Sequence, residues 1–376
     1  MLNLRTRVSS RRIGLAASMV TVAALLLTGC QTAGTGGAAH IAETAELPPL
    51  SSLTPIADPI AWEGPTTAVI GGPSLAAIAD RPEQQLPVTV VSHDATGDRE
   101  VQVTDTSRLL ALSLTGTVAE LVDAYGLAGN LVGRDISTQL AGYEDLPVVT
   151  KAGHSIDAEG VLALNPTLVI TDGSIGPTDV VLQLRDAGIQ VVTVSRAIDP
   201  ESTYELAREV AAALGVAPLA DVLNEQLQQA IAAKETEIAR LLPDDEALRP
   251  RVAFLYIRGA AGVYYLFGEG SGIDSMIESL GAVDVAKEIG WVGEKPLTDE
   301  ALVSLNPDVL LVMTDGLESA GGVDGLIAAQ PSIALTNAGK HRRIVDVADT
   351  LIFAGGTRIP DVLDGLARAL YAPDSL

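Results

Sequence analysis

A repeat within this chain of 376 residues constrains its fold more than any other feature. The segment from Glu159 through Asn165-Pro166 to Asp172-Gly173 recurs from Glu300 through Asn306-Pro307 to Asp315-Gly316, and the offset stays at 141 residues from the glutamate to the asparagine. Each copy reads as a helix stopped by Asn-Pro, then a buried strand, then a glycine turn, because proline bars the residue before it from helix. Two copies of one helix–strand unit imply two lobes of like construction. With 47% hydrophobic residues there is ample material to give each lobe its own core.

The rest of the chain fits that frame. Alternating runs at residues 88–92 and 100–104 flank the turn-rich segment 94–98 and read as a hairpin. Strands are then expected at 109–114, 131–133, 168–171 and 191–194, with a helix at 117–125 ended by Gly126. Strands alternating with helices imply a parallel sheet. A helix over 201–215 is followed by a longer one from Pro218 to about Leu242, and roughly 25 residues at 1.5 Å each span about 38 Å. Such a helix between two α/β blocks reads as a rigid strut. Strands resume at 252–257, and the second block runs on to Tyr371. The expected fold class is α/β: two similar lobes, each a parallel-type sheet flanked by helices, joined by a single long interlobe helix. The boundaries are 1–29 signal peptide, 30–86 tether, 87–197 N-terminal lobe, 198–248 connecting helices and 249–376 C-terminal lobe.

The first thirty residues point to export. Arg5, Arg7, Arg11 and Arg12 precede an apolar run at 13–27, and Leu27-Thr28-Gly29-Cys30 closes it like a lipobox. The run is short for a membrane span, which needs about 20 apolar residues. Ser10-Arg11-Arg12 leaves the export route open between the general and twin-arginine pathways. Cys30 is the one cysteine in the sequence, so no internal disulfide can form, and lipidation is its expected chemistry. Residues 31–86, rich in Gly, Ala, Thr and Pro without period, read as a partly disordered tether on which Ala61-Trp62 and Val69-Ile70 dock locally.

Charge and motifs exclude other classes. A net charge of -24 repels a phosphate backbone, so nucleic acid is not an expected partner. No Ser-His-Asp arrangement, zinc-type histidine pair or nucleophile elbow marks an enzyme, and no catalytic cofactor is expected. Gly268, Gly270 and Gly272 before a helical stretch resemble a phosphate loop only weakly, since the full glycine fingerprint is missing.

From Pro87 to Pro373 the pattern resembles the class III periplasmic-type binding proteins, which carry vitamin B12, ferric siderophores and haem to ABC importers. The motif that carries the resemblance is the glutamate six residues ahead of Asn-Pro in both lobes, supported by the opening from Arg108 to Glu120. The resemblance implies that Glu159 and Glu300 dock into arginine pockets of a permease, whose ATPase partner hydrolyses ATP. It also implies a cleft between the lobes, at the loops after the strands, and only slight movement of the lobes on binding.

Two segments are then expected to line the cleft, residues 151–157 and 254–259. His154 and Tyr256 are a plausible axial pair for ferric haem, since imidazole nitrogen and phenolate oxygen both ligate haem iron. Arg258 leaves the strand on the same face as Tyr256 and is placed to favour the phenolate. His40 falls in the tether, His93 in the hairpin and His341 in a late loop, which leaves His154 for the cleft. Tyr264, Tyr265 and Trp291 are candidates to flank a porphyrin or to be core. With His154 and Tyr256-x-Arg258, the chain is similar to the haem-binding lipoproteins of Gram-positive importers, the HmuT-type group. That similarity implies ferric protoporphyrin IX as transported ligand, lipid anchoring at the outer face of the cytoplasmic membrane, and cell-surface haem-binding proteins upstream. A ferric siderophore or a corrinoid is the alternative cargo.

Overall fold

The computed structural model describes residues 47–376 other than 74, 152–153, 260–263 and 354, so Cys30 and the expected signal peptide lie outside the described residues. Residues 47–86, expected as part of a tether, are instead a strap laid across both lobes. Leu50 is fully buried in the C-terminal core, and β1 (Thr66–Thr67) pairs in parallel with residues 345–346. Three buried arginines from the far end of the chain hold the strap. Arg368 Nη2 donates to Pro48 O at 2.6 Å, Arg343 Nη1 to Thr66 Oγ1 at 2.7 Å and Arg358 Nη2 to Gly71 O at 2.7 Å. The strap then crosses to the N-terminal lobe, where the amides of Ile78, Arg81 and Gln85 donate to the carbonyls of Ala124, Gly126 and Gly215. Its backbone is satisfied by remote partners, so it needs no apolar period of its own.

The N-terminal lobe begins with the expected hairpin, β2 (Val88–Asp94) and β3 (Gly97–Val103), closed by the two residues Ala95 and Thr96. It continues through β4 (Leu109–Leu112), α1 (Thr117–Ala124), the short pair β5 (Thr150–Lys151) and β6 (Ser155–Ile156), α2 (Ala158–Ala163), β7 (Leu168–Thr171), α3 (Thr178–Asp186), β8 (Gln190–Thr193) and α4 (Pro200–Ala213). The sheet is parallel in the order β4-β7-β8. Residues 131–133, expected as a strand, contribute an isolated bridge between Leu131 and Leu109. The hairpin covers the free edge of β8: Ser92 Oγ accepts from Thr193 N at 2.8 Å, and Gln190 Nε2 donates to Gln102 O at 2.7 Å.

The strut is α5 (Leu219–Ile238), 20 residues and so about 30 Å long. Ala220 and Leu223 enter the N-terminal core, while Leu227, Ile231 and Ile238 enter the C-terminal one. The helix ends four residues earlier than expected. Leu242 precedes Pro243, which disfavours helix there, and the chain bends to bury Leu241.

The C-terminal lobe runs through β9 (Arg251–Ile257), β10 (Tyr264–Phe267), α6 (Ile273–Ser279), β11 (Val283–Asp284), α7 (Val285–Glu288), β12 (Glu294–Pro296), α8 (Asp299–Leu305), β13 (Val309–Met313), α9 (Thr314–Ser319), α10 (Gly322–Ala329), α11 (Asn337–Lys340), β14 (Ile344–Val347), α12 (Asp349–Ile352) and α13 (Ile359–Tyr371). Strands β1, β14, β13 and β9 are parallel; β10 and β12 extend them antiparallel, an edge that the sequence pattern does not announce. The repeat is realised in the backbone. After α2 and α8 respectively, Asn165 and Asn306 both turn at φ +45°, and the strands β7 and β13 follow their prolines. The copies then part company, since Gly173 sits in an open turn and Gly316 lies inside α9.

Behind the cleft the lobes touch at Gly355 and Gly356. Thr117 Oγ1 donates to Gly355 O at 3.2 Å, and Gly356 N donates to Thr203 Oγ1 at 3.0 Å. A side chain at either glycine would stand 2.6 Å from a carbon of Ala197 or Thr117 across the joint. Glu120 turns its carboxyl into this joint, and one of its oxygens is shut off from water without a hydrogen bond among the described residues. Burial pushes Glu120 up to about 8, against the pull of Arg358 and with the help of Asp361 and Asp123.

A carboxyl protonated in the fold but ionised from about 4.5 upward in the unfolded chain costs stability progressively as pH rises between those values. Glu120→Gln, which cannot ionise, should unfold at a higher temperature than the parent by a margin that widens from about pH 5 to about pH 8 and reaches roughly 2–3 kcal/mol near neutrality. A margin that stays constant across that range would show that Glu120 is not held neutral.

Candidate functional site

A cavity of about 210 Å³ lies between the lobes at the carboxyl ends of their strands. Leu114 and Arg196–Ile198, from the loops after β4 and β8, form its N-terminal wall. The opposite wall holds Tyr256 near the end of β9, Phe267 at the end of β10, the loop 270–273, Glu294, and the α12 pair Ile352 and Phe353.

The C-terminal wall is aromatic. The sequence contains three phenylalanines, and all of them meet here: Phe254 lies edge-on to Phe267 and Phe353 at 5.1 and 5.5 Å, and Phe267 lies 5.4 Å from Phe353. Tyr256 rests on Phe267 at 6.3 Å and meets Tyr265 edge-on at 6.5 Å. In a chain with 3% aromatic residues this is a marked concentration, with Phe254 buried behind Phe267 and Phe353, which face the cavity.

One polar group of this wall is held with care. Arg258 Nε donates to Tyr256 Oη at 3.0 Å, and the guanidinium carbon stands 5.3 Å from the ring centroid. The expected Tyr256–Arg258 pair is therefore formed. The arginine is held further toward its charged form by this hydrogen bond first, then by Tyr256, Asp349 and Asp315. Asp349, at the start of α12, completes the set with Oδ2 at 3.2 Å from Arg258 Nη2. Burial pushes its carboxyl up, against the hydrogen bond from the Asp315 amide and the Arg258 guanidinium, while the Asp315 charge adds to the rise.

The other candidates separate. Tyr265 is partly exposed beside Tyr256, its cross-strand neighbour in register. Tyr264 points to the opposite face, is 2% exposed and donates to Asp299 Oδ1 at 2.8 Å; burial pushes it up to about 12. It is core, not pocket, as strand parity requires once β10 is a strand and not a loop. Trp291 is likewise not in the cavity wall. Its indole donates to Leu266 O at 3.1 Å, and its ring packs against the C-terminal core with the Lys295 ammonium 5.8 Å from its centroid.

His154 occupies the turn between β5 and β6 at φ +57°, with its amide on Lys151 O and its Nδ1 buried without a partner among the described residues. It is not among the residues that line the 210 Å³ cavity. His93 lies on the hairpin between Asp98 and Glu209, at 2.9 and 3.2 Å, which raise its affinity for a proton. Glu159 and Glu300 are exposed in the first turns of α2 and α8.

The glycine loop holds no free amides for a phosphate: Gly270 N and Gly272 N both donate to the Asp274 carboxylate at 3.0 Å. Sequence reasoning missed Arg196, the one cation in the described cavity wall, and it missed Asp349. Arg196 stood within reach of the rule that sites form after strand ends. Asp349 had no such signal, because its partner lies 91 residues away.

A family model described as periplasmic binding protein matches residues 112–351. Among solved structures, the haem binding protein HmuT is 36% identical with a TM-score of 0.74, over 84% of this chain and 99% of that one. That protein has also been solved with alanine replacing a tyrosine, a histidine, and an arginine two positions beyond the tyrosine. The uncharacterized ABC transporter substrate-binding lipoprotein YvrC of Bacillus subtilis is 27% identical over 297 residues, covering 78% of this chain and 89% of the relative. A cobalamin-binding protein of Halobacterium salinarum is 27% identical over 218 residues, 57% of this chain and 56% of its own length.

The floor of the cavity is tight. Gly272, at φ +85°, would place a Cβ 1.8 Å from Ile198 O of the other lobe, whereas at Gly270, φ +79°, a Cβ meets nothing within 4 Å. Gly270→Ala should therefore cost about 1 kcal/mol in backbone strain, and Gly272→Ala more than about 2 kcal/mol, because the lobes must also part. Equal losses in thermal unfolding would mean that the floor is not closed.

Proposed function

The chain belongs to the periplasmic binding protein family, and from that premise we propose that it is an exported lipoprotein that captures ferric haem between its lobes and delivers it to an ABC permease. The observation that carries the reading is Arg258 Nε at 3.0 Å from the Tyr256 hydroxyl, over an aromatic wall at the strand ends. A tyrosine ligates ferric iron through its anionic oxygen, a hard donor suited to Fe(III) outside the cell, and Arg258 stands within hydrogen-bond reach of that oxygen. The likeness to HmuT supports it, as does the triad of residue types replaced in that protein.

In this reading Tyr256 is one axial ligand and His154, from the N-terminal lobe, is the other. Tyr265 and Phe267 flank the macrocycle, and Arg196 offers its charge to a propionate. The 210 Å³ of this cavity is below the roughly 300 Å³ from which ligand pockets usually start, so part of a porphyrin would lie in the open cleft. Lipid on Cys30 would hold the protein at the outer face of the membrane, and Glu159 and Glu300 would meet the permease through two charge pairs. A corrinoid is the second reading, favoured by the halobacterial relative.

Titration of the purified protein with hemin, beside cyanocobalamin, decides between them. We expect saturable one-to-one hemin binding with a ferric-phenolate charge-transfer band, lost in Tyr256→Phe and shifted in His154→Ala. Spectra identical to free hemin overturn the haem reading, and saturable binding of cyanocobalamin alone establishes the second. Reversing both docking charges, Glu159→Lys with Glu300→Lys, should abolish uptake in cells by at least about tenfold while hemin binding in solution is unchanged. Undiminished uptake would remove these glutamates from the docking role.

A further inference from the structure

We propose that Asp349 is a positioning residue of this site: acting through Arg258, it fixes the guanidinium on the Tyr256 oxygen and so sets how firmly Tyr256 can hold a ferric ion. The inference rests on the haem reading above and adds to it a residue that touches neither iron nor porphyrin.

The argument begins with the mobility of arginine. The Arg258 side chain is 51% exposed, and a long side chain with one hydrogen bond at a water-filled cleft spends much of its time in solvent. Here it has two anchors of different kind. Nε donates to Tyr256 Oη at 3.0 Å, and Nη2 faces Asp349 Oδ2 at 3.2 Å. Because the guanidinium is planar and rigid, holding it at two places restrains the side-chain torsions up to Cδ–Nε and keeps the Nε–H aimed at the phenol oxygen.

Asp349 is itself immobile. Its side chain is 15% exposed, its Oδ1 accepts from Asp315 N at 3.0 Å, and its Oδ2 is shut off from solvent without a hydrogen bond of its own among the described residues, paired by charge alone with Arg258 Nη2 at 3.2 Å. It opens α12, the short helix that also delivers Ile352 to the cavity, with Phe353 at its end. The aspartate thus couples the arginine to the wall on which cargo rests.

A carboxylate beside the arginine has a second effect of opposite sign, because it draws off some of the positive charge offered to the phenolate. Orientation outweighs it. The N–H···O bond is short-ranged and is lost outright when the arginine swings away, whereas the carboxylate acts on Tyr256 only through a half-exposed, screened cation.

The test is a double-mutant cycle read by hemin titration and by the ferric-phenolate band. Asp349→Asn keeps an acceptor for the Asp315 amide but presents an amide, not a charge, to Arg258. We expect it to weaken hemin binding about three- to tenfold and to shift the band in the same direction as Arg258→Ala. In the Arg258→Ala background the same substitution should change neither. An Asp349→Asn protein indistinguishable from the parent overturns the inference. So does an effect that persists undiminished without Arg258, since Asp349 would then act through the packing of α12. If the parent protein shows no Tyr256-dependent band at all, the haem reading itself fails; a normal band indifferent to Asp349 sinks only the present inference.

Discussion

The shared apolar stripe of α5 is the constraint on which the rest depends. Its first turns are buried in one core and its later turns in the other, through Ala220 and Leu223 on one side and Leu227, Ile231 and Ile238 on the other. A helix sunk into two cores cannot bend without uncovering one of them, so the lobes are held at a set distance and angle. The strap adds a second crossing. It is pinned by Arg368, Arg343 and Arg358 on the C-terminal lobe and by three backbone hydrogen bonds on the N-terminal lobe. The third contact, Gly355 and Gly356 between Thr117 and Thr203, closes the back of the cleft.

A cleft held in this way can be furnished with precision. The C-terminal wall presents Phe267 and Phe353, backed by Phe254, and one tyrosine whose hydroxyl accepts from Arg258 Nε at 3.0 Å. That cation stands out because the molecule carries a net charge of -24, and Arg258 and Arg196 are set at the cleft in a protein otherwise dominated by carboxylates. An anionic, flat, apolar cargo would be repelled by most of the surface and drawn to this one place.

Much of this was legible in the sequence. The repeat led to two lobes because Asn165-Pro166 and Asn306-Pro307 impose the same local geometry wherever they occur, and both asparagines do turn at φ +45°. Tyr256 and Arg258 were legible for the same reason, since two residues apart on a strand fixes a shared face. Features that depend on distant partners were not. The strap looked like a tether because its periodicity lies in the arginines that grip it. Tyr264 and Trp291 could be sorted from Tyr265 only once β10 was known to pair with β9. Asp349 belongs to the same class, as does the Glu120 joint.

The rigidity of the frame has a consequence for release. In a binding protein with a flexible hinge, thermal opening alone frees the cargo. Here opening the mouth would have to separate Gly272 from Ile198 O and Gly356 from Thr117, contacts that lie within van der Waals reach across the lobes, while α5 resists bending. On the docking proposed above, the energy for parting them would come from the permease, applied at Glu159 and Glu300 in the first turns of the two repeated helices. In this view the internal repeat is more than a record of duplication. If both glutamates dock as proposed, the repeat gives each lobe its own point of attachment, one on either side of the cleft.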